Sequence, residues 1–180
     1  MTKRIFVGIP ISKELQDEVL QWRGRILIRE ARWIEPKNLH ITLVPPWESN
    51  YVNDVIEILK RSFALRAQDD DKIQDFAVNF NSIRYGPNNR EPRMVWLSGQ
   101  PPKEILDLRF KIFESLQKPI DSRPFNLHAT LARLKNQAAS LPDIETKVNW
   151  KMGVRKFFLY ESPLLPEGSD YRVLSEFSTL

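Results

Sequence analysis

The sequence contains no cysteine. Disulfides, thiolate metal sites and a cysteine nucleophile are therefore excluded, and the composition suits a reducing compartment. Histidine is nearly as scarce, with two in 180 residues. No apolar run approaches the roughly 20 residues a membrane helix requires. The run at residues 5–9 stops at Pro10, too short for a signal peptide. These absences lead to the expectation of a soluble, cytoplasmic protein with no membrane partner.

What is present is enough for a sizeable core, with 42% hydrophobic and 11% aromatic residues. Lysine and arginine exceed the acidic residues by 27 to 23. An excess of that size suits a polyanionic partner and equally suits an ordinary solvated surface. One domain, or two small lobes sharing a core, fits the length.

Ile5, Val7 and Ile9 alternate with Phe6 and Gly8, the period of a strand. Ser12 is a plausible N-cap for a helix carrying Leu15, Val19, Trp22 and Ile26. Residues 39–44 read as a short strand that Pro45-Pro46 ends. Val52, Ile56, Leu59 and Phe63 mark a second helix. Asp69-Asp70-Asp71 reads as a solvated acidic turn, since no further metal ligands lie nearby. Phe76, Val78 and Phe80 alternate as a strand, and residues 86–92 form a loop rich in Pro, Asn and Gly. A strand at 94–97 precedes a third helix, entered near Pro102, with Ile105, Leu108, Ile112 and Leu116 on one face. Residues 127–132 read as a strand, 135–152 as mixed and without a clear period, and 155–160 and 171–177 as two closing strands. The fold class is α/β of the α+β type, with many short strands.

The two halves repeat. Asn38-Leu39-His40-Ile41-Thr42-Leu43 and Asn126-Leu127-His128-Ala129-Thr130-Leu131 agree at five of six positions. Each histidine follows the start of its unit by 35 residues, counted from Ile5 and from Arg93. Chance coincidence of the matching neighbours is on the order of one in 10⁴ to 10⁵. The chain therefore reads as a single domain, 1–180, built by internal duplication, with halves of about 1–90 and 91–180.

In a strand, residues two apart share a face. His40 and Thr42 then project together, and so do His128 and Thr130, with the intervening aliphatic side chains turned inward. Two imidazoles and two hydroxyls converge if the halves pack about a pseudo-two-fold axis. One imidazole takes a proton from water and the other gives one to a leaving oxygen. The threonine hydroxyls donate to non-bridging phosphate oxygens. The plainer reading makes each histidine a core residue satisfied by a neighbour, and the duplication weighs against it. A two-histidine metal site lacks the third and fourth ligands that metals usually take. No nucleophile elbow accompanies either histidine.

These motifs resemble the paired His-x-Thr-x signature of the two-histidine phosphoesterase superfamily. The resemblance extends to Arg4-Ile5-Phe6-Val7-Gly8-Ile9-Pro10, Arg32-Trp33-Ile34-Glu35-Pro36-Lys37-Asn38-Leu39 and Arg123-Pro124-Phe125-Asn126-Leu127. It continues through Phe158-Leu159-Tyr160-Glu161-Ser162 and Tyr171-Arg172-Val173-Leu174, and so covers nearly the whole chain. The nearest likeness is to bacterial and archaeal RNA 2′,3′-cyclic phosphodiesterases, also called 2′-5′ RNA ligases. It implies two pseudo-symmetric lobes, each an antiparallel sheet with flanking helices, around a central cleft. It implies metal-independent, cofactor-free hydrolysis of an RNA 2′,3′-cyclic phosphate to a 2′-phosphate, with His40 as acid and His128 as base. It also implies a 2′-5′ ligase activity that joins tRNA halves. A departure follows the first motif, where Val44-Pro45-Pro46-Trp47 replaces the family's aromatic-Leu-Gly turn.

Secondary candidates for substrate binding are Arg133, Trp47, Phe125 and Trp33. Arg133 matches a family arginine, but its odd offset from His128 aims it at the wrong face unless a bulge redirects it. The aromatic residues suit stacking on an unpaired base, with Trp47 preferred. Arg90 and Arg93 are surface residues that would at most line a cleft entrance. The expected partner is an RNA or nucleotide with a cyclic phosphate end, tRNA among them, bound by a monomer. The alternatives are a phosphodiesterase for another cyclic or 2′,5′-linked nucleotide, and a non-catalytic RNA-end-binding module.

Overall fold

A computed structural model of the chain describes residues 2–29, 31–64, 75–88, 90–120, 123–135, 141–163 and 170–179. The acidic run Asp69-Asp70-Asp71 lies outside the described residues.

The strand β1 (Lys3–Pro10) leads to helix α1 (Lys13–Arg23). Ser12 caps that helix, its Oγ accepting from the backbone N–H of Leu15. A short strand β2 (Ala31–Trp33) and a 3-10 turn (Pro36–Asn38) precede β3 (His40–Ser49). Then come α2 (Val52–Ala64), β4 (Phe76–Gly86), β5 (Met94–Gln100), α3 (Lys103–Ser115), β6 (His128–Leu134), β7 (Thr146–Val154), β8 (Lys156–Glu161) and β9 (Arg172–Ser178).

The strands form one antiparallel sheet in the order β7-β4-β5-β6-β3-β1-β8-β9, with β2 added beside β6. One face is apolar. Ile5, Val7 and Ile9 from β1, Val95 and Leu97 from β5, and Phe157 and Leu159 from β8 share a core with helical Leu15, Val19, Leu59, Ile105 and Leu108. The sheet is a mixed α/β structure whose two four-strand halves meet at β3 and β6, bearing out the expected fold class.

The halves of the sheet are not the halves of the chain. The strand β4 pairs with β5, and the C-terminal strands β8 and β9 return beside β1. Each lobe thus needs strands from both sides of residues 90–92. The repeat visible in sequence covers β1-α1-β3 and β5-α3-β6, and the remaining strands complete each lobe.

Two local expectations change. Pro45-Pro46 does not end the strand, because β3 continues to Ser49. Its pairing with β1 slips twice, between Ile5 and Val7 and between Val7 and Gly8, so the prolines sit in a bulged stretch. On its other side β3 pairs with β6 only at Ile41 and Ala129, so the missing prolyl N–H groups cost no ladder bond there. The 135–152 stretch contains most of β7, an edge strand in which exposed Lys147, Asn149 and Lys151 alternate with inward Val148, Trp150 and Met152.

Candidate active site

The single pairing of Ile41 with Ala129 fixes the centre of the molecule. Both side chains are fully buried in the core. Antiparallel geometry then places His40 across from Thr130, and Thr42 across from His128, on the opposite face. The two histidines are diagonal neighbours, roughly 7–8 Å apart at the backbone. Residues expected to converge from a repeat thus share one face of two adjacent strands.

Both imidazoles are held in the same way. His40 Nδ1 lies 2.7 Å from the Asn38 carbonyl oxygen, and His128 Nδ1 lies 2.8 Å from that of Asn126. A carbonyl only accepts, so each neutral ring carries its proton on Nδ1 and leaves a lone pair on Nε2. The backbone that does this is itself duplicated. The Leu39 carbonyl accepts from Ile11 N–H, and the Leu127 carbonyl accepts from Gly99 N–H.

The ring environments differ. His40 packs on Phe6 at 4.7 Å and meets Tyr171 edge-on at 5.0 Å. Gly8, opposite Thr42, leaves room for this, since a Cβ there would stand 3.3 Å from both His40 Cδ2 and Phe6 Cε2. His128 instead stacks on the Trp96 indole at 4.0 Å. Gly86 makes that possible, because a side chain on it would overlap the indole. Arg84 lies over the same indole at 5.6 Å.

Burial pushes the His40 pKa down to about 4, opposed by its bond to Asn38 and assisted by positive charge at His128 and Arg133. Burial lowers His128 too, with Arg84 adding to the effect. Both rings are neutral at pH 7, each offering Nε2 as a base. A phosphate anion placed between them would reverse the electrostatics and favour one imidazolium.

Beside His128 opens a cleft of about 380 Å³, lined by Thr42, Pro45, Trp96, Arg109, Phe125 and His128 among others. Arg109 lies over Phe125 at 5.2 Å and donates from Nε to the Leu43 carbonyl. Among the described residues, two buried side-chain atoms make no hydrogen bond, Trp96 Nε1 and Ser98 Oγ. Both belong to β5, where Ser98 pairs with His128 and Trp96 with Thr130. They are donors available to whatever occupies this face.

The secondary candidates separate. Phe125 lines the cleft. Arg133 reaches the face that carries the histidines through a bulge. Trp96 pairs with Thr130 but Val95 pairs with Ala132, so Leu131 is an extra residue and Arg133 falls opposite Met94. Trp33 does not reach the cleft. It pairs with buried Ala132 and meets Trp22 edge-on at 6.0 Å, on the helix side of the sheet. Trp47 does not reach it either. The two slips of β3 bring it opposite Ile5, whose side chain is core, and Lys118 covers its ring at 4.4 Å. Arg90 and Arg93 are exposed.

Sequence reasoning passed over Phe6, Tyr171, Trp96 and Arg84 as site residues. One signal was available for Phe6. A strand with Ile5, Val7 and Ile9 on its core face has no structural need for a large aromatic residue on the other.

Residues 12–162 match the model of the 2′-5′ RNA ligase superfamily. The chain belongs to that superfamily. Relatives within it include the RNA 2′,3′-cyclic phosphodiesterase of Archaeoglobus fulgidus, 28% identical over 97% of this chain and 99% of the relative. The enzyme of the same name from Thermus thermophilus is 26% identical over 97% of this chain and 89% of its own. Among solved structures, E. coli LigT complexed with 3′-AMP aligns with a TM-score of 0.75 at 24% identity, covering 99% of this chain and 98% of that one. A Thermus thermophilus structure aligns with a TM-score of 0.76 at 23% identity, over 98% and 97% of the two chains. These likenesses establish the superfamily fold. None of the described helices is long and apolar enough to cross a membrane.

Proposed function

We propose that the protein hydrolyses the 2′,3′-cyclic phosphate end of an RNA, tRNA halves among them, to a 2′-phosphate, by acid-base catalysis between His40 and His128. The observation that carries this reading is the pair of imidazoles on neighbouring strands, each tied through Nδ1 to a backbone carbonyl and each left with a free Nε2. The names of the superfamily relatives support the substrate class.

In this mechanism a water oxygen attacks phosphorus and the P–O3′ bond breaks. His128 Nε2 takes the water proton, and His40, protonated on Nε2, gives its proton to O3′. The order follows the environments. His128 borders the open cleft, and a more strongly depressed His40 is the stronger acid once protonated. The negative charge of the bound cyclic phosphate offsets the positive charge of Arg133 that otherwise opposes protonation of His40. With a 5′-hydroxyl in the place of water, the same proton transfers form a 2′,5′ linkage. No step calls for a metal ion.

Thr42 and Thr130 donate to the non-bridging oxygens as charge develops there. Thr42→Val and Thr130→Val are each expected to lower kcat by about tenfold with KM little changed. Single-turnover kinetics check this, and an unaltered kcat removes that hydroxyl from the mechanism. Trp47→Ala is expected to leave KM within about twofold and to lower stability by about 1–2 kcal/mol, since its ring packs against core and Lys118. A tenfold rise in KM would return Trp47 to the substrate.

The reading is tested by turnover of nucleoside 2′,3′-cyclic monophosphates and a short RNA with a cyclic end, in EDTA. Release of a 2′-phosphate at an undiminished rate is the expected result. Loss of activity on chelation would overturn the metal-free mechanism, and binding without turnover would support an RNA-end-binding module instead.

A further inference from the structure

The bulge in β6 does more than turn Arg133 around. Immediately across the next strand, Arg133 is paired with Arg32 of β2. Cross-strand partners share a face, so the two arginine side chains leave the sheet together on the face that carries the histidines. The neighbours of Arg32 confirm the orientation, since Ala31 and Trp33 pack against the core. Both arginines are exposed, and among the described residues neither has an ion-pair or hydrogen-bond partner. Like charges directly opposite one another in a sheet are unfavourable. The arrangement calls for an anion between them.

The position along the strand says which anion. Thr130, across from His40, marks the reacting phosphate, and Arg133 lies three residues farther along β6. The cleft containing Phe125 lies at the other end of the same strand, before His128. A ribose whose O2′ and O3′ carry the reacting phosphate sends its base from C1′ to one side and its 5′ arm from C4′ to the other. With the base in the Phe125 cleft, the 5′ arm runs toward Arg133 and Arg32.

We infer that Arg32, paired across the sheet with Arg133, forms a second phosphate subsite that holds the 5′-phosphate group of the terminal nucleotide. This rests on the reading of the reaction given above, and it deepens that reading. The site selects an RNA chain end over a free cyclic nucleoside phosphate. A planar guanidinium pair binds phosphate oxygens through charge-assisted bonds in water-accessible positions. Arg32 is a binding residue for the longer substrate and has no part in the chemistry at phosphorus.

Three substrates separate the possibilities: a nucleoside 2′,3′-cyclic phosphate, the same molecule with a 5′-phosphate, and a dinucleotide ending in the cyclic phosphate. At low salt the wild-type protein is expected to show a kcat/KM about tenfold higher for the second and third than for the first. Arg32→Ala should abolish that preference while leaving turnover of the first substrate within about twofold, and Arg32→Lys should restore part of it. The dependence of log kcat/KM on log salt for the dinucleotide should become shallower by about 0.7 in Arg32→Ala. An advantage for the dinucleotide alone, lost in Arg32→Ala, assigns the subsite to the chain's phosphodiester and not to a free 5′-phosphate. No preference in the wild type, or a preference that survives Arg32→Ala, would overturn the subsite while leaving the reaction intact. An equal loss on all three substrates would make Arg32 a structural residue and also overturn it. No turnover of any of the three would sink the parent reading, and the subsite with it.

Discussion

His40→Ala and His128→Ala are each expected to lower kcat/KM on a 2′,3′-cyclic end by about 10²- to 10⁴-fold, the usual contribution of a positioned general acid or base. Each Nδ1 is engaged by a backbone carbonyl, so only Nε2 is free to exchange a proton with substrate. Among the described residues no other titratable side chain on the paired strands sits across from either threonine. In the proposed mechanism the two histidines act in one proton-transfer cycle, so the double variant should be little worse than the poorer single variant. Steady-state rates on one cyclic nucleotide, with thermal melts to verify folding, check this. A loss of less than tenfold in either variant would exclude that ring from proton transfer. Full additivity of the two losses would mean that they serve separate steps.

The second large effect is on stability. An ordinary histidine titrates near 6.5, and burial brings His40 down to about 4 in the folded protein. Between those values the unfolded chain binds a proton that the folded chain does not. Stability is therefore greatest above pH 6.5 and falls as the pH drops toward 4, by about 3 kcal/mol from His40. His128 shifts in the same direction and adds to the slope. Carboxylates titrate mostly below pH 5, so the interval from 5 to 6.5 isolates the histidines. Urea unfolding across that interval should show a rising midpoint with pH, and His40→Gln should flatten the rise. An equal slope in His40→Gln would place the linkage elsewhere. The same depression has a functional side. The ring proposed to donate a proton is neutral in the free protein, so the negative charge of bound phosphate has to raise its pKa before it can do so.

Much of the site was legible in the chain because duplication wrote it twice. His40, Thr42, His128 and Thr130 stand at matched positions of two matched strands, and period two alone puts each pair on one face. The same local rules identified the three helices and the cap at Ser12. They failed where pairing slips. Arg133 has the wrong parity for the face that carries the histidines, and one extra residue at Leu131 corrects it. Trp47 and Trp33 lie close to the motifs in sequence yet face the core, Trp47 because β3 continues past Pro45-Pro46 with two slips that cancel in parity. A bulge depends on the partner strand, so nothing local announces it.

The sequence by itself determined a two-fold repeated strand-helix-strand unit and the two histidines and two threonines proposed as its reactive groups. Tertiary structure alone decided that β8 and β9 return to β1, that Trp96 and Phe6 cover different histidines, and that Arg32 meets Arg133. Alternation and helical period are properties of a few neighbouring residues. Strand order, register and burial arise from contacts between residues far apart in the chain, and those contacts set the pKa values and the charge that the site presents to a substrate.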